Sequence, residues 1–366
     1  MEVKKTGISL DLIIHPGETI ADILEEREIS QAELAARTGV SAAYVSNVIS
    51  GKKSISTKFA MALEYALGVP KSFWLNLQVN YDAELLELNQ ELTITEEEKH
   101  ACKALSEVVE HLQKRKIIPV SQRIEETILS LRKALQISNV ENLKNLVPEG
   151  AFRMAHNATI DPYVMGAWLR ICQIIGEKSD IESSFDPQNV ENLIAAIKKI
   201  MRTKCDVPKE LTKVMRDYGI HFSIVRNFKG APVHGYISQK VDGTYQMVLT
   251  IRGAFADIFW FSLFHELGHI VNGDISRGTR YIDAAENENV EQEAAADRFA
   301  GNALLNETAY KNFVAEGNFT FNAINRFAEM QNVPPYVVIG RLQRKKYIPY
   351  TRYSSYKLRY KWAENT

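Results

Sequence analysis

A chain of 366 residues is long enough for two or three domains with substantial hydrophobic cores. A composition of 45% hydrophobic and 24% charged residues excludes a disordered or fibrous protein, and no uninterrupted apolar run reaches the length of a membrane span. Basic residues number 44 and acidic residues 45, so the net charge of −1 points to no partner and only the local distribution is informative. The opening Met1-Glu2-Val3-Lys4-Lys5 leads into no apolar stretch of the kind a secretory signal needs. Three scattered cysteines, Cys102, Cys172 and Cys205, form neither a disulfide framework nor a CxxC pair. Buried thiols in a reducing cytoplasm are expected; Cys205 has only its presence to recommend it as an inhibitory thiolate on a metal.

Residues 1–82 read as a self-contained helical unit. Gly17 to Glu28 carries Ile20, Ala21, Ile23 and Leu24 at helical spacing. Ser30 caps a second helix, and Glu33 three residues on completes a capping box. Gly39 supplies the turn that ends it. Ser41 then caps a third helix running to about Ser50, closed by Gly51-Lys52-Lys53. Two short helices joined by a glycine-containing turn form the helix-turn-helix pattern, whose second helix enters the major groove amino end first. Ser41, Ala42, Tyr44, Ser46 and Asn47 are the candidate groove-facing residues, with Lys52 and Lys53 reaching phosphates. The rival reading is a generic αα-hairpin, since residues 1–80 hold eight basic against nine acidic residues and not the excess of a strongly basic DNA binder.

The run from His15 to Asp82, opening HPGE and closing FWLNLQVNYD, resembles an Xre-type helix-turn-helix of the HigA antitoxin group. The resemblance implies a homodimeric repressor that binds double-stranded operator DNA of its own operon. For many such proteins it also implies an RNase toxin as partner, although no toxin-contacting motif can be read here.

Residues 83–215 are helical and charge-rich. Glu96–Lys114, Ser121–Leu135 and Asn189–Arg202 alternate apolar positions with Lys and Glu, and Thr95 with Glu98 reads as a capping box. A connector, a dimerising arm and the first part of the next domain all fit, with a solvated helical spacer as the default. Strands begin at Ile220–Arg226, and a hairpin follows from Val233–Lys240 and Tyr245–Ile251, turned by Asp242-Gly243.

The next segment carries chemistry. In His265-Glu266-Leu267-Gly268-His269 two histidines four residues apart share a helix face, so both can offer a nitrogen to one zinc ion. Glu266 lies about 100° round that helix, placed to take a proton from a water and not to ligate. A catalytic zinc needs a third protein ligand and an open position. Glu293 can supply the ligand, and Asp297, one turn on, can accept the free N–H of a ligating histidine. Glu291 competes with Glu293 but points elsewhere on the helix. The preceding Phe255–Phe264 stretch is apolar almost all round and predicts a buried helix, in which two histidines and a glutamate without partners are costly.

FHELGHIVNGD followed by EQEAAADRFAGNALL resembles the ImmA/IrrE family of zinc metallo-endopeptidases over roughly residues 215–310. The resemblance implies His265, His269 and Glu293 as ligands and Glu266 as general base. The stretch Asp161–Arg170 resembles one found before the peptidase core in fused antitoxin-peptidase chains, and no chemical role can be read for it. In zincins an edge strand beside the metal helix receives the substrate backbone, and Gln246–Thr250 is the candidate here. His234 and Tyr236 are weighed as oxyanion stabilisers against an ordinary structural role. The carboxyl end, Arg341 to Lys361, holds eight basic residues and no acidic one, interleaved with tyrosines. Such interleaving suits nucleic acid, but packing of the tyrosines with snorkelling lysines is favoured, because the preceding segment resembles the helical tail that closes ImmA/IrrE-type domains.

The expected fold is α+β and mostly helical. It comprises an all-α helix-turn-helix domain (1–82), a helical connector (83–215) and a zincin-like metallopeptidase domain with a small β-sheet and a basic tail (216–366). The expected function is a cytoplasmic DNA-binding regulator whose peptidase cleaves a regulatory protein, either a repressor or the chain itself. The alternative is a non-proteolytic antitoxin whose metal domain senses a ligand or binds a toxin.

Overall fold

The computed structural model describes residues 13–147, 160–177, 181, 184–251, 253–275, 280–284 and 290–362; the opening Met1–Lys5 lies outside them. Backbone contacts divide the chain into two compact units, Met1–Thr95 and Glu96–Thr366.

Among its described residues the first unit holds five α-helices: α1 (Pro16–Glu26), α2 (Gln31–Thr38), α3 (Ala42–Ile49), α4 (Thr57–Leu67) and α5 (Lys71–Leu88). Their starts are chemically specified. The hydroxyl oxygens of Ser30, Ser41 and Ser56 accept the N–H groups of Glu33, Tyr44 and Phe59 at 3.1, 3.2 and 3.2 Å. The reciprocal half of the expected capping box is spent differently, because the Glu33 carboxylate pairs with Arg37 one turn along. Gly39 adopts φ 70°, where a side chain is disfavoured, and its N–H returns to the Ala35 carbonyl. The apolar faces meet in a core of Ile20, Leu34, Val45, Val48, Leu63 and Trp74, all buried.

The second unit takes in most of the region expected to be a solvated connector. Its helices are α6 (Glu96–Ala104), α7 (Ser106–Lys114), α8 (Ile124–Leu135), α9 (Pro162–Glu177), α10 (Val190–Arg202) and α11 (Val207–Asp217). The single helix expected over Glu96–Lys114 is broken at Leu105, whose side chain is fully buried. Glu98, read with Thr95 as a capping box, is fully buried. Its carboxylate accepts from Arg132 Nε at 2.9 Å and from the Val140 N–H at 2.9 Å. The Asp161–Arg170 stretch also gains a role: Asp161 caps α9 through the Tyr163 N–H at 2.9 Å, and Trp168 is fully buried.

Four strands follow, β1 (Ile220–Ile224), β2 (Val233–Gln239), β3 (Tyr245–Leu249) and β4 (Arg280–Ala284), in the order β1-β3-β2-β4. β1 runs parallel to β3, and β2 is antiparallel to both β3 and β4. The expectation that Gln246–Thr250 is an edge strand is therefore corrected: β3 is paired on both sides, and the sheet's outer strands are β1 and β4. Alternation assigns the faces. Phe222, Ile237 and Met247 join the core of α12 (Ala256–Asn272), while Gln246 donates to the Cys172 carbonyl of α9 at 2.5 Å and Tyr236 meets Trp168 edge-on at 6.4 Å.

Helices α13 (Val290–Leu304), α14 (Glu307–Glu316), α15 (Phe321–Met330) and α16 (Pro335–Arg344) complete the unit. The basic, tyrosine-rich tail packs at the start of α12. The Ala256 N–H bonds the Leu358 carbonyl at 3.0 Å, the Tyr360 N–H bonds that of Ala254 at 2.7 Å, and Lys357 pairs with Asp257 at 2.8 Å. Arg359 lies over the Phe255 ring. No helix among the described residues is long and apolar enough to cross a membrane.

Candidate metal centre and nucleic-acid interface

Helix α12 is buried along most of its length, and its periodicity puts Ile258, Phe261, His265 and His269 on neighbouring positions of one face. Helix α13 brings Glu293 to that face. His265 Nε2 and His269 Nε2 stand 3.1 Å apart, and the Glu293 carboxylate oxygens lie 3.2 and 3.5 Å from them. Among the described residues these three form a group able to hold a metal, each offering one ligand atom within 4.8 Å of the others. Glu291 is exposed and does not join the group.

The other ring nitrogens explain the orientation. His265 Nδ1 lies 3.0 Å from Asp297 Oδ1, and His269 Nδ1 lies 2.8 Å from Asp274 Oδ2. With each Nδ1–H donating to a carboxylate, each Nε2 presents a lone pair towards the other and towards Glu293. Three converging acceptors suit a cation. Two nitrogens bonded to one zinc at about 2 Å can stand no more than about 4 Å apart, and the pair meets that limit. Asp297 stands behind His265. Burial alone would raise its carboxyl, but the hydrogen bond and charge of His265, helped by Arg344 and Lys345, hold it below the ordinary carboxylate range.

Asp274 was not among the sequence candidates. It follows the left-handed Gly273 that ends α12, and its own N–H returns to the His269 carbonyl at 3.0 Å. The Asn272-Gly273-Asp274 stop signal carried that information, since a helix end so close to His269 brings the next polar side chain back over it.

Glu266 is 0% exposed and faces the sheet. A Cβ at Gly235 of β2 would lie 2.0 Å from Glu266 Oε1, so this strand position admits the carboxylate only because it is glycine. Of the two hairpin residues weighed for an oxyanion, His234 lines the cleft with His265 and Glu293, whereas Tyr236 is buried against Trp168. The cleft has a volume of about 1530 Å³ and runs from His234 and His265 to α16 and the tail. Cys205 lies elsewhere, its thiol 3.9 Å from the Ile200 carbonyl. Burial and the charge of Glu98 push the Cys102 thiol up to about 11, and burial raises that of Cys172. Both are inert structural thiols.

In the first unit Ser41, Ala42, Ser46 and Asn47 of the third helix are exposed, as are Lys52 and Lys53 beyond it. Ala43 is exposed too and belongs with them; a small residue beside the cap gave no signal of its own. Tyr44 is only half-exposed. Its ring meets Phe59 edge-on at 5.1 Å and Lys53 Nζ stands 4.6 Å above it, so Tyr44 shapes this face as well as presenting a hydroxyl. The two ends of the His15–Asp82 segment also meet. His15 Nδ1 caps α1 by accepting the Gly17 N–H at 2.9 Å, and its ring packs edge-on against Tyr81 at 4.7 Å.

Residues 20–74 match the helix-turn-helix family. Among solved structures, a putative antidote protein of a plasmid maintenance system from Nostoc punctiforme is 40% identical over 22% of this chain and 97% of its own, with a TM-score of 0.20. A HigA-family addiction-module antidote protein from Coxiella burnetii is 32% identical over 23% of this chain and 96% of its own, with a TM-score of 0.21. The Pseudomonas aeruginosa antitoxin HigA, solved with the higBA promoter, is 32% identical over 23% of this chain and 97% of its own, also with a TM-score of 0.21. No curated protein matches the chain. Through residues 20–74 this chain belongs to the helix-turn-helix family, and its sequence is similar there to antidote and antitoxin proteins of the HigA type.

Proposed function

We propose that the chain is a DNA-binding regulator, dimeric on a two-fold operator, whose second unit is a zinc-dependent endopeptidase acting on a regulatory protein in the cytoplasm. The observation that carries the peptidase reading is the convergence of His265 Nε2, His269 Nε2 and Glu293 with an aspartate behind each histidine. His265, His269 and Glu293 would hold the ion, which when bound supplies Lewis acidity to a water and to the scissile carbonyl. Asp297 and Asp274 hold the imidazoles in the tautomer that leaves Nε2 free to ligate. Glu266 takes the proton of the attacking water and passes one to the departing amine, so that water adds across the C–N bond and a carboxylate and an amine result. Its burial against Gly235 keeps bulk water away from the carboxylate. The resemblance of residues 215–310 to the ImmA/IrrE family supports the same reading.

The second reading is a non-proteolytic antitoxin whose metal unit binds a ligand or an RNase toxin. The similarity of the first unit to antidote proteins favours it. One experiment separates the two. Glu266→Gln keeps the shape and cannot act as a base, so it should retain zinc and abolish cleavage. New peptide termini are compared after wild type and variant are incubated with extract from cells expressing the adjacent genes. Identical terminus profiles would leave the antitoxin reading standing.

A further inference from the structure

The cleft beside the candidate metal centre has an uneven charge distribution. Arg341 is engaged by Glu307 at 2.5 Å and Lys357 by Asp257 at 2.8 Å. Three other cations remain at the rim nearest the histidines. Arg298 follows Asp297 on α13, Arg344 ends α16, and Lys345 comes next; all three are exposed and all line the cleft. Arg298 and Lys345 take no ion pair among the described residues. Arg344, whose side chain is 60% exposed, reaches Asp297 Oδ2 only at 3.7 Å.

Arg344 is positioned by stacking. Its guanidinium lies 4.5 Å from the centre of the Phe261 ring, and that ring lies 6.2 Å from the His265 ring. A cation held over an aromatic face has a fixed direction and keeps its outward N–H groups for a ligand. Phe261 beneath it and Ile258, one turn earlier on α12, give the cleft an apolar lining, and Ile258 is 38% exposed although it sits on the metal helix. A strip of apolar side chains edged by cations and ending at the histidines suits a polypeptide that alternates apolar and acidic side chains. It suits a phosphate backbone less well, because the tail's own cations Lys357 and Arg359 are engaged at Phe255.

The chain itself contains such a segment. Residues 82–97, DAELLELNQELTITEE, hold six acidic residues and no lysine or arginine. Gln90–Thr93 forms a single 3₁₀ turn in which Leu92 is 83% exposed. Residues 82–88 are the last turns of α5 and 96–97 open α6, so only residues 89–95, at the unit boundary, lie outside α-helix, where proteolytic nicking concentrates.

We propose that the cleft recognises an acidic polypeptide segment through Arg298, Arg344 and Lys345, and that residues 82–97 of a second copy of this chain are a segment it accepts. This rests on the peptidase reading and names its substrate class. Cleavage there would separate the helix-turn-helix unit from the metal unit and so release a repressor from its regulator.

The test uses the full chain carrying Glu266→Gln, so that binding is read without turnover, and a fluorescently labelled peptide of residues 82–97 followed by anisotropy. The expected result is binding that weakens with added salt and falls about tenfold or more in Arg344→Glu and in Lys345→Glu. The same loss is expected when every Asp and Glu of the peptide is replaced by its amide. Arg298→Glu provides a third variant, and circular dichroism checks that each exposed replacement leaves the fold intact. Absence of binding, equal binding of the neutral peptide, or displacement of the peptide by single-stranded DNA of equal charge would each overturn the proposal. Two outcomes separate it from the reading it rests on. Peptide bound as expected but never cleaved by the wild type removes the peptidase and keeps the recognition. Cleavage of other proteins that is indifferent to Arg344→Glu and Lys345→Glu keeps the peptidase and removes the recognition.

Discussion

Gly235 on β2 and Glu266 on α12 face each other so closely that a methyl group on the glycine would stand 2.0 Å from the carboxylate oxygen. The strand and the metal helix are thus fitted to each other at the residue assigned the proton transfer. The role of Glu266 is legible from its neighbours in sequence, whereas nothing around Gly235 in sequence marks its part.

Gly235→Ala should therefore act on Glu266 and not on the ligands. Overpacking at a buried site costs about 1–3 kcal/mol, to be read as a loss of stability in denaturant unfolding. Zinc content should stay near that of the wild type, while any cleavage activity should fall sharply. Loss of zinc in a folded Gly235→Ala protein would show that the contact positions the histidines instead.

Purified protein should carry about one zinc per chain, because two histidines and one carboxylate leave one open position. His265→Ala and Glu293→Ala should lose most of it by elemental analysis, and Glu291→Ala should not. Asp297→Ala and Asp274→Ala should each weaken zinc roughly ten- to a hundredfold in competition with a chromophoric chelator, since each frees one imidazole to rotate. Equal retention in both aspartate variants would mean that the rings are held by packing alone.

On DNA, Asn47→Ala should cost roughly 1–3 kcal/mol on the preferred operator and blur the preference. Lys52→Ala should weaken binding on all sequences and reduce the salt dependence. Tyr44→Ala should do more than either, because it also strips an aromatic contact from Phe59 and the platform under Lys53. Electrophoretic mobility shifts on operator and scrambled duplexes, with thermal melts of the same variants, distinguish a lost contact from a loosened domain.

His15 makes the stability of the first unit depend on pH. Burial lowers the pKa of its imidazole from 6.5, with Glu18 and Asp82 pulling in the opposite direction. The folded state therefore prefers the neutral ring, whose Nδ1 accepts the Gly17 N–H. A depressed histidine contributes stability that is present in full above the unfolded value and is lost as pH falls through the folded one. Unfolding of the 1–95 fragment should be easier at pH 5 than at pH 7.5, and His15→Asn, a cap that does not titrate, should flatten that difference. A profile unchanged by His15→Asn would assign the pH dependence to other groups.

Much of this molecule is determined within a few residues of sequence. The serine caps at Ser30, Ser41 and Ser56, the left-handed Gly39 and the pairing of His265 with His269 need only one turn of helix to form, so local chemistry specifies them. The four-residue spacing of Glu293 and Asp297 is local in the same way, but the approach of Asp297 to His265 spans 32 residues and is tertiary. Other features depend on contacts far apart in sequence. The parallel pairing of β1 with β3 places β3 inside the sheet, although the hairpin signal alone leaves it as an edge. The chain is interrupted between α6 and α7 at the fully buried Leu105, and the Glu98 carboxylate accepts from Arg132, which lies 34 residues away. Asp274 reaches His269 only because α12 stops at Gly273 and the chain folds back. Hydrogen bonds closed within one turn compete with water locally and are written in the sequence. Which faces meet is decided by burial of apolar surface across the whole unit, and only the tertiary structure settles it.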